Sequence, residues 1–195
     1  MRQEIVNIYQ FNELEEAAKE KARQWYRNGD YIYTDGITES FEETVRERGL
    51  ELSGKHPVSW SLGYCQSDYV GIDAEASVEL IHRMIEADVS DRDMRWFKRL
   101  VDVFDITATT SHHHYYGQRF EVEVLAPGQY PGPIQKLADR IHAVLEQAWE
   151  RYVRDLCHDL MKYGYAEIEY QSADEQVDES IICNEYEFTE DGARW

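Results

Sequence analysis

The stretch IQKLADRIHAVLEQAWERYVRDLCHDLMKY, residues 134–163, does most to decide the fold class of this chain. Its apolar residues recur every three or four positions, which places them on one face of a helix. Pro131 and Pro133 precede the stretch, as prolines do at helix entrances, and Gly164 follows it as a stop signal. The pattern therefore predicts one long helix over residues 134–163.

Outside this helix, about five segments alternate apolar and polar side chains, as strands do when one of their faces is buried. They lie at about residues 4–9, 58–65, 74–80, 104–110 and 117–124. Helical patterns begin at Asn12 and also cover 38–48 and parts of 80–103. Because no strand-helix-strand unit repeats, the sequence predicts an α+β fold with a mostly antiparallel sheet of about five strands and flanking helices.

The length of 195 residues fits a single α+β domain over residues 1–195. An alternative subdivision separates a sheet-containing core, residues 1–126, from a helical and acidic C-terminal region, residues 127–195. The high content of hydrophobic (43%) and aromatic (13%) residues predicts a folded rather than a disordered chain.

The segment YAEIEYQSADEQVDESIICNEYEFTEDG, residues 165–192, holds ten Asp or Glu and no Lys or Arg. Ser172 and Glu175 have capping-box spacing, so the segment predicts an acidic helix followed by an extended stretch, together an acidic helix-strand unit. In that helix successive carboxylates one turn apart would form two rows, which folding does not require because like charges at this spacing are mildly destabilising. The candidate partner-binding residues are the ten acids of the segment: Glu167, Glu169, Asp174, Glu175, Asp178, Glu179, Glu185, Glu187, Glu190 and Asp191.

The formal net charge of −19 restricts the class of partner. A negative field of this size disfavours direct binding to nucleic acid or to an anionic membrane, and it favours a basic protein or solubility alone. No apolar run approaches the roughly 20 residues of a membrane span, and the N-terminus has no apolar signal core. Three widely spaced cysteines predict reduced, packed thiols and a cytoplasmic protein.

The motif SHHHYY, residues 111–116, is the most metal-like feature. On an extended strand His112 and His114 would point to one side, about 7 Å apart, and Asp68 and Asp73 are the nearest attractive carboxylates. Since two imidazoles are not a site, the sequence favours a hairpin in which His113 packs inward and a turn built around the aspartates. We expect no cofactor, no metal and no catalytic residue; the alternative is a metal-dependent hydrolase or nuclease that uses these four residues.

Three segments, residues 8–27, 58–68 and 163–192, resemble in this order a family of uncharacterised bacteriophage and prophage proteins. The most specific resemblance lies in the C-terminal block, in Ser172–Glu175 and in Asn184–Gly192. Relatives often carry Gln-Gly-Asp-Gly where this chain has Gln66-Ser67-Asp68-Tyr69, which weakens any ligand site at that turn. Members are commonly labelled hypothetical phage proteins or antitoxins, so the resemblance implies no catalytic residue.

A phage origin implies a use for the acidic segment. The leading hypothesis is a non-enzymatic protein of the infected or lysogenic bacterial host that binds a basic host or phage protein. The partner would have a nucleic-acid-binding groove, the effect would be inhibition or modulation of a host-defence factor, and the segment would mimic the charge of DNA. A further alternative is an antitoxin that neutralises a cognate toxin. The oligomeric state is left open by the sequence.

Overall fold

The computed structural model describes residues 6–29, 32–113, 117–126 and 132–195. Helices and strands of this part of the chain are labelled in chain order: β1 (Tyr9–Gln10), α1 (Glu16–Arg27), α2 (Thr34–Glu47), β2 (Leu50–Leu52), β3 (Val58–Ser61), β4 (Tyr69–Ile72), β5 (Ala74–Ala76), α3 (Val78–Asp88), α4 (Asp91–Leu100), β6 (Asp105–His113), β7 (Gly117–Leu125), α5 (Gly132–Ser172), α6 (Asp174–Cys183) and β8 (Glu187–Phe188). Every strand pairing is antiparallel, so the prediction of an α+β fold with mostly antiparallel pairing is confirmed.

The chain divides into two compact units. The discontinuous unit comprises Met1–Thr34 and Gly164–Trp195, and the central unit comprises Asp35–Tyr163. These boundaries do not coincide with the subdivision at residues 126 and 127, and the assignment of a single domain stays a prediction.

The central unit is built on a four-stranded antiparallel sheet with the strand order β2-β5-β6-β7. Strands β6 and β7 form its long hairpin, in which Ile106 is opposite Val124, and β3 and β4 form a second hairpin. The Gln118 side chain joins the two hairpins, because its amide both donates to the Ile72 carbonyl and accepts from the Ile72 N–H. The Gln118 side chain, rather than a continuous ladder of backbone hydrogen bonds, therefore links the β3-β4 hairpin to β6 and β7.

Helix α5 covers this sheet with its apolar stripe. Trp149 is fully buried and donates its indole N–H to the Thr109 carbonyl of β6 at 2.8 Å, while His142 bonds the Val122 carbonyl of β7 at 3.0 Å. The indole N–H and the Nε2 atom of the imidazole therefore have partners at the sheet, and the rest of the stripe buries its apolar area. It consists of Leu137, Ala138, Ile141, Leu145, Ala148, Val153, Leu156 and Leu160.

Two sequence predictions about these elements need correction. Helix α5 does not end at Gly164 but continues to Ser172, because one glycine costs a helix only about 1 kcal/mol relative to alanine and the flanking turns are good helix formers. The described residues also contain eight strands in three sheets rather than one sheet of about five. Strands of two to four residues are too short for alternation to be recognised, and β1 begins only at Tyr9.

The discontinuous unit packs α1 and α6 against the paired strands β1 and β8. Its buried residues come from both ends of the described chain: Phe11, Leu14, Ala18, Ala22, Val177, Ile181 and Phe188. The rings of Phe11 and Phe188 meet edge to face, with centroids 6.3 Å apart. Helix α6 and strand β8 therefore share one core with residues 9–27 and do not form a separate acidic C-terminal unit.

A tight turn after β8 locks the end of the chain onto α1. The backbone of Gly192 has a φ of +81°, and a Cβ atom there would lie 2.1 Å from the Ala18 carbonyl oxygen. Only glycine allows this approach, since any side chain would collide with the backbone of α1. Arg194 follows the turn and places its guanidinium over the rings of Trp25 and Tyr186.

We expect Gly192→Ala to destabilise the discontinuous unit by roughly 2–4 kcal/mol, since it adds a backbone collision to the cost of a positive φ. The matched control is Gly54→Ala, because Gly54 has a φ of +84° and nothing within 4 Å of the added Cβ. Thermal unfolding of both variants measures the difference. Equal losses of stability would mean that the turn does not depend on its contact with Ala18.

Candidate functional site: the acidic C-terminal segment

Arg23 on α1 is the basic residue around which the acidic segment is arranged. Its side chain is only 10% exposed, and it donates from Nε to Asp178 Oδ1 at 2.7 Å and from Nη2 to Asp178 Oδ2 at 2.9 Å. Nη1 donates to Glu16 at 2.8 Å, and Glu20 lies 3.6 Å away. Hydrogen bonds to Asp178 and then to Glu16 raise the pKa of Arg23 well above its ordinary value, despite its burial.

Two further pairs connect the acidic segment to the same helix. Arg27 donates from Nη2 to Asp174 and from Nε to the carbonyl of Ser172. Lys21 donates to Asp191 at 2.5 Å, and Thr189 also donates to that carboxylate. These two bonds hold the pKa of Asp191 down, to about 2.

The ten predicted partner-binding acids are thus not equivalent. Asp174, Asp178 and Asp191 are paired with Arg27, Arg23 and Lys21, so these three carboxylates face a basic helix of their own chain. That the carboxylate rows on α6 are dispensable for folding stays a prediction, but the structure gives Asp178 a partner on another helix, since its carboxylate accepts two hydrogen bonds from Arg23 of α1. The sequence shows the three bases of α1, but their spacing equally suits pairing with Glu15, Glu16 and Glu20 within that helix.

The remaining acids of the segment include five exposed glutamates with no ion pair among the described residues. These outer glutamates are Glu175, Glu179, Glu185, Glu187 and Glu190. Glu167 differs from them, since it is half-buried and accepts from Gln171 at 3.0 Å, and Glu169, although exposed, makes a contact of its own.

On α6 the outer glutamates surround an exposed apolar side chain. At 100° per residue, Glu175, Glu179 and Ile182 point within about 60° of one another. This direction is opposite to that of the buried Val177, and Ile182 is 42% exposed. The outward face of α6 therefore combines two carboxylates with one exposed apolar side chain.

The predicted metal ligands have other partners in the structure. Asp68 accepts from the N–H groups of Gly63 and Cys65, at 3.0 and 2.9 Å, and so closes the turn before β4. Asp73 accepts from the backbone N–H of His112 at 2.6 Å. The His112 ring stacks on that of Tyr69, with centroids 4.6 Å apart.

The predicted histidine arrangement is also reversed. His113 is exposed, whereas His112 is half-buried, so it is His112 and not His113 that packs inward. His114 lies outside the described residues. Within the described residues, no group of three or more His, Cys, Asp or Glu could hold a metal ion.

The three cysteines are all free. Cys157 is half-buried, and burial raises the pKa of its thiol to about 12, as expected for a packed thiol. Cys65 and Cys183 are exposed, so the prediction of packing is wrong for these two. Cys65 Sγ lies 3.0 Å from Ser67 Oγ and donates to Asp68 at 3.1 Å, which makes it part of the turn.

Comparison with known proteins adds no relative from which a role could be transferred. No protein-family model, curated protein or solved structure matches this chain. In the part of the chain that the structure describes, no helix combines the length and the apolarity needed to traverse a bilayer.

We expect Asp178→Asn to destabilise the discontinuous unit by about 1.5–3 kcal/mol, because it leaves the nearly buried Arg23 without its bidentate partner. The control is Asp174→Asn, whose carboxylate side chain is 62% exposed and should cost less than about 1 kcal/mol. Amide hydrogen exchange at Ala18 and Ala22 reports the local free energy of opening. Equal protection in the two variants would contradict a special role for Asp178.

We expect the Asp191 carboxyl to titrate at a pKa of about 2, below its ordinary value of 3.8. Because folding lowers this pKa, the contribution of the contact to stability is present above pH 4 and is lost as the pH falls toward 2. Lys21→Gln should raise the pKa, whereas Lys19→Gln should leave it unchanged, since Lys19 lies over the Phe11 ring. Carboxyl NMR titration of the three proteins provides the test, and an unshifted Asp191 in wild type would contradict the pairing.

Proposed function

We propose that this chain is a phage-type acidic binding protein whose outer glutamates dock a basic protein of the bacterial host. The observation that carries the proposal is the outward face of α6, where Glu175 and Glu179 flank the exposed Ile182. Carboxylates at a protein surface steer a basic partner and fix its orientation, while an apolar side chain at their centre supplies desolvated contact area.

The division of the acidic segment refines the charge-mimicry part of this hypothesis. A DNA-like surface needs carboxylates that are free to meet a partner's lysines and arginines, and Asp174, Asp178 and Asp191 already meet bases of α1. The outer glutamates are therefore the residues that would mimic the charge of DNA. The partner would be a protein with a nucleic-acid-binding groove, such as a host-defence factor in the bacterial cytoplasm, and binding would block that groove.

The two alternatives have less support. A metal-dependent hydrolase or nuclease would need carboxylates that are available to bind a metal ion. Asp68 and Asp73 instead accept hydrogen bonds from backbone N–H groups. The antitoxin hypothesis also requires a basic partner, here a cognate toxin, and differs only in the activity of that partner. Of the three hypotheses, the acidic binding protein therefore has the most support.

The test is affinity capture from a bacterial lysate, followed by competition with duplex DNA. We expect wild type to retain a DNA-binding protein that duplex DNA displaces, and Glu175→Gln/Glu179→Gln to lose at least tenfold in affinity at low salt, where exposed charges are least screened. Glu43→Gln/Glu47→Gln is the matched control, because these exposed glutamates on α2 have the same spacing and charge.

The control variant should bind as wild type does. If the α6 and α2 variants lose affinity equally, net charge and not the outward face of α6 determines binding. If the captured protein is not displaced by DNA, the partner binds elsewhere and charge mimicry is excluded. Either result overturns the proposal as stated.

A further inference from the structure

A second candidate site lies entirely within the central unit. A cavity of about 420 Å³, widely open to solvent, lies between α3, α5 and the residue that follows α2, and its volume falls in the size range of small-molecule pockets. Its apolar wall is formed by the buried side chains of Leu80, Met84 and Ala148. Three arginines also line it, which is unusual for a chain with a net charge of −19.

Two of these arginines form no ion pair with any residue that the structure describes. Arg151 faces Asp88 at 3.6 Å, so this pair is neutral by itself. Among the described residues, neither Arg48 nor Arg83 forms an ion pair. Both residues are exposed, so a ligand from solvent can reach them.

The side chain of Arg83 reaches the segment that carries Arg48, and both residues line the cavity. Arg83 Nη2 lies beside Gly49, where a Cβ atom would be 3.4 Å away, and Gly49 directly follows Arg48. The Tyr152 hydroxyl donates to the Arg48 carbonyl at 2.6 Å and so anchors this segment to α5. A hydrogen bond between α5 and the segment that follows α2 therefore fixes this part of the cavity wall.

Asp155 is the remaining charged residue of the cavity. It forms no ion pair with Arg48 or Arg83 among the described residues, and it lies one turn beyond Arg151 on α5. With Arg151 and Asp88 paired, the cavity has two guanidinium groups against one carboxylate. Its residual charge is positive, opposite in sign to that of the whole chain.

We propose that this cavity binds a small organic anion, with its phosphate or carboxylate group between Arg48 and Arg83 and its apolar body against Leu80, Met84 and Ala148. Guanidinium forks bind both anionic groups through paired N–H donors. The apolar wall supplies the contact that inorganic anions cannot use. The proposal concerns a different unit from the outer glutamates and stands independently of the proposed function.

Phenyl phosphate and benzoate are suitable probes, with inorganic phosphate and benzyl alcohol as the comparisons that lack one half of the ligand. Calorimetry should give measurable binding for at least one of the two probes and weaker binding for both comparisons. Arg83→Gln should reduce the affinity about tenfold, the loss of one charged hydrogen-bonding partner. Asp155→Asn should increase the affinity, because it removes a like charge from the neighbourhood of the anion.

Arg95→Gln is the matched control, since Arg95 is an exposed arginine on α4 that does not line the cavity. Its affinity should equal that of wild type. In wild type, the NMR shift changes caused by the ligand should centre on Leu80, Arg83 and Tyr152. A well-dispersed Arg83→Gln spectrum in which these changes are reduced separates lost binding from lost fold. Absence of binding by both probes, or equal affinity in Arg83→Gln and Arg95→Gln, would overturn the proposal.

Discussion

The nearly buried guanidinium of Arg23 is the constraint on which the discontinuous unit depends. A cation at this position must be compensated where it lies, and the bidentate bond to Asp178 with the bond to Glu16 provides the compensation. Asp178 lies between Val177 and Ile181 on α6, so the turn that meets Arg23 also supplies buried apolar area. Ion pair and core are thus formed by the same docking of α6 onto α1, and neither can be removed without weakening the other.

This arrangement changes what a highly acidic segment means. Composition alone treats the ten acids of residues 165–192 as one feature, whereas the structure divides them into charges that the fold uses and charges that it leaves at the surface. Residues 184–192 show the same division. Phe188 belongs to the core, Asp191 binds Lys21 and Gly192 touches α1, while Glu185, Glu187 and Glu190 lie outside. Much of this stretch is therefore explained by packing, and its exposed glutamates are the part that packing does not explain.

The sequence predicts those features that depend on local pattern. The helical spacing around Leu145 and Leu156 predicts α5, and the alternation in residues 117–124 predicts β7. It does not predict features that depend on partners far along the chain. Arg23 and Asp178 are 155 positions apart, and nothing in their local spacing favours this pair over the in-helix alternatives. The sequence does not predict the cavity at Arg48 and Arg83 for the same reason, because the residues that line it come from three different elements.

The discontinuous unit also has a consequence for biosynthesis. Helix α1 leaves the ribosome early, but its packing partners Val177, Ile181 and Phe188 follow only after some 150 further residues. At a synthesis rate of about 5–20 residues per second, the residues that pack against the apolar face of α1 are made on the order of ten seconds after α1 itself. The central unit, whose residues are contiguous, can form during this interval. The discontinuous unit can therefore be completed only after the central unit has been synthesised, once α6 and β8 have followed it.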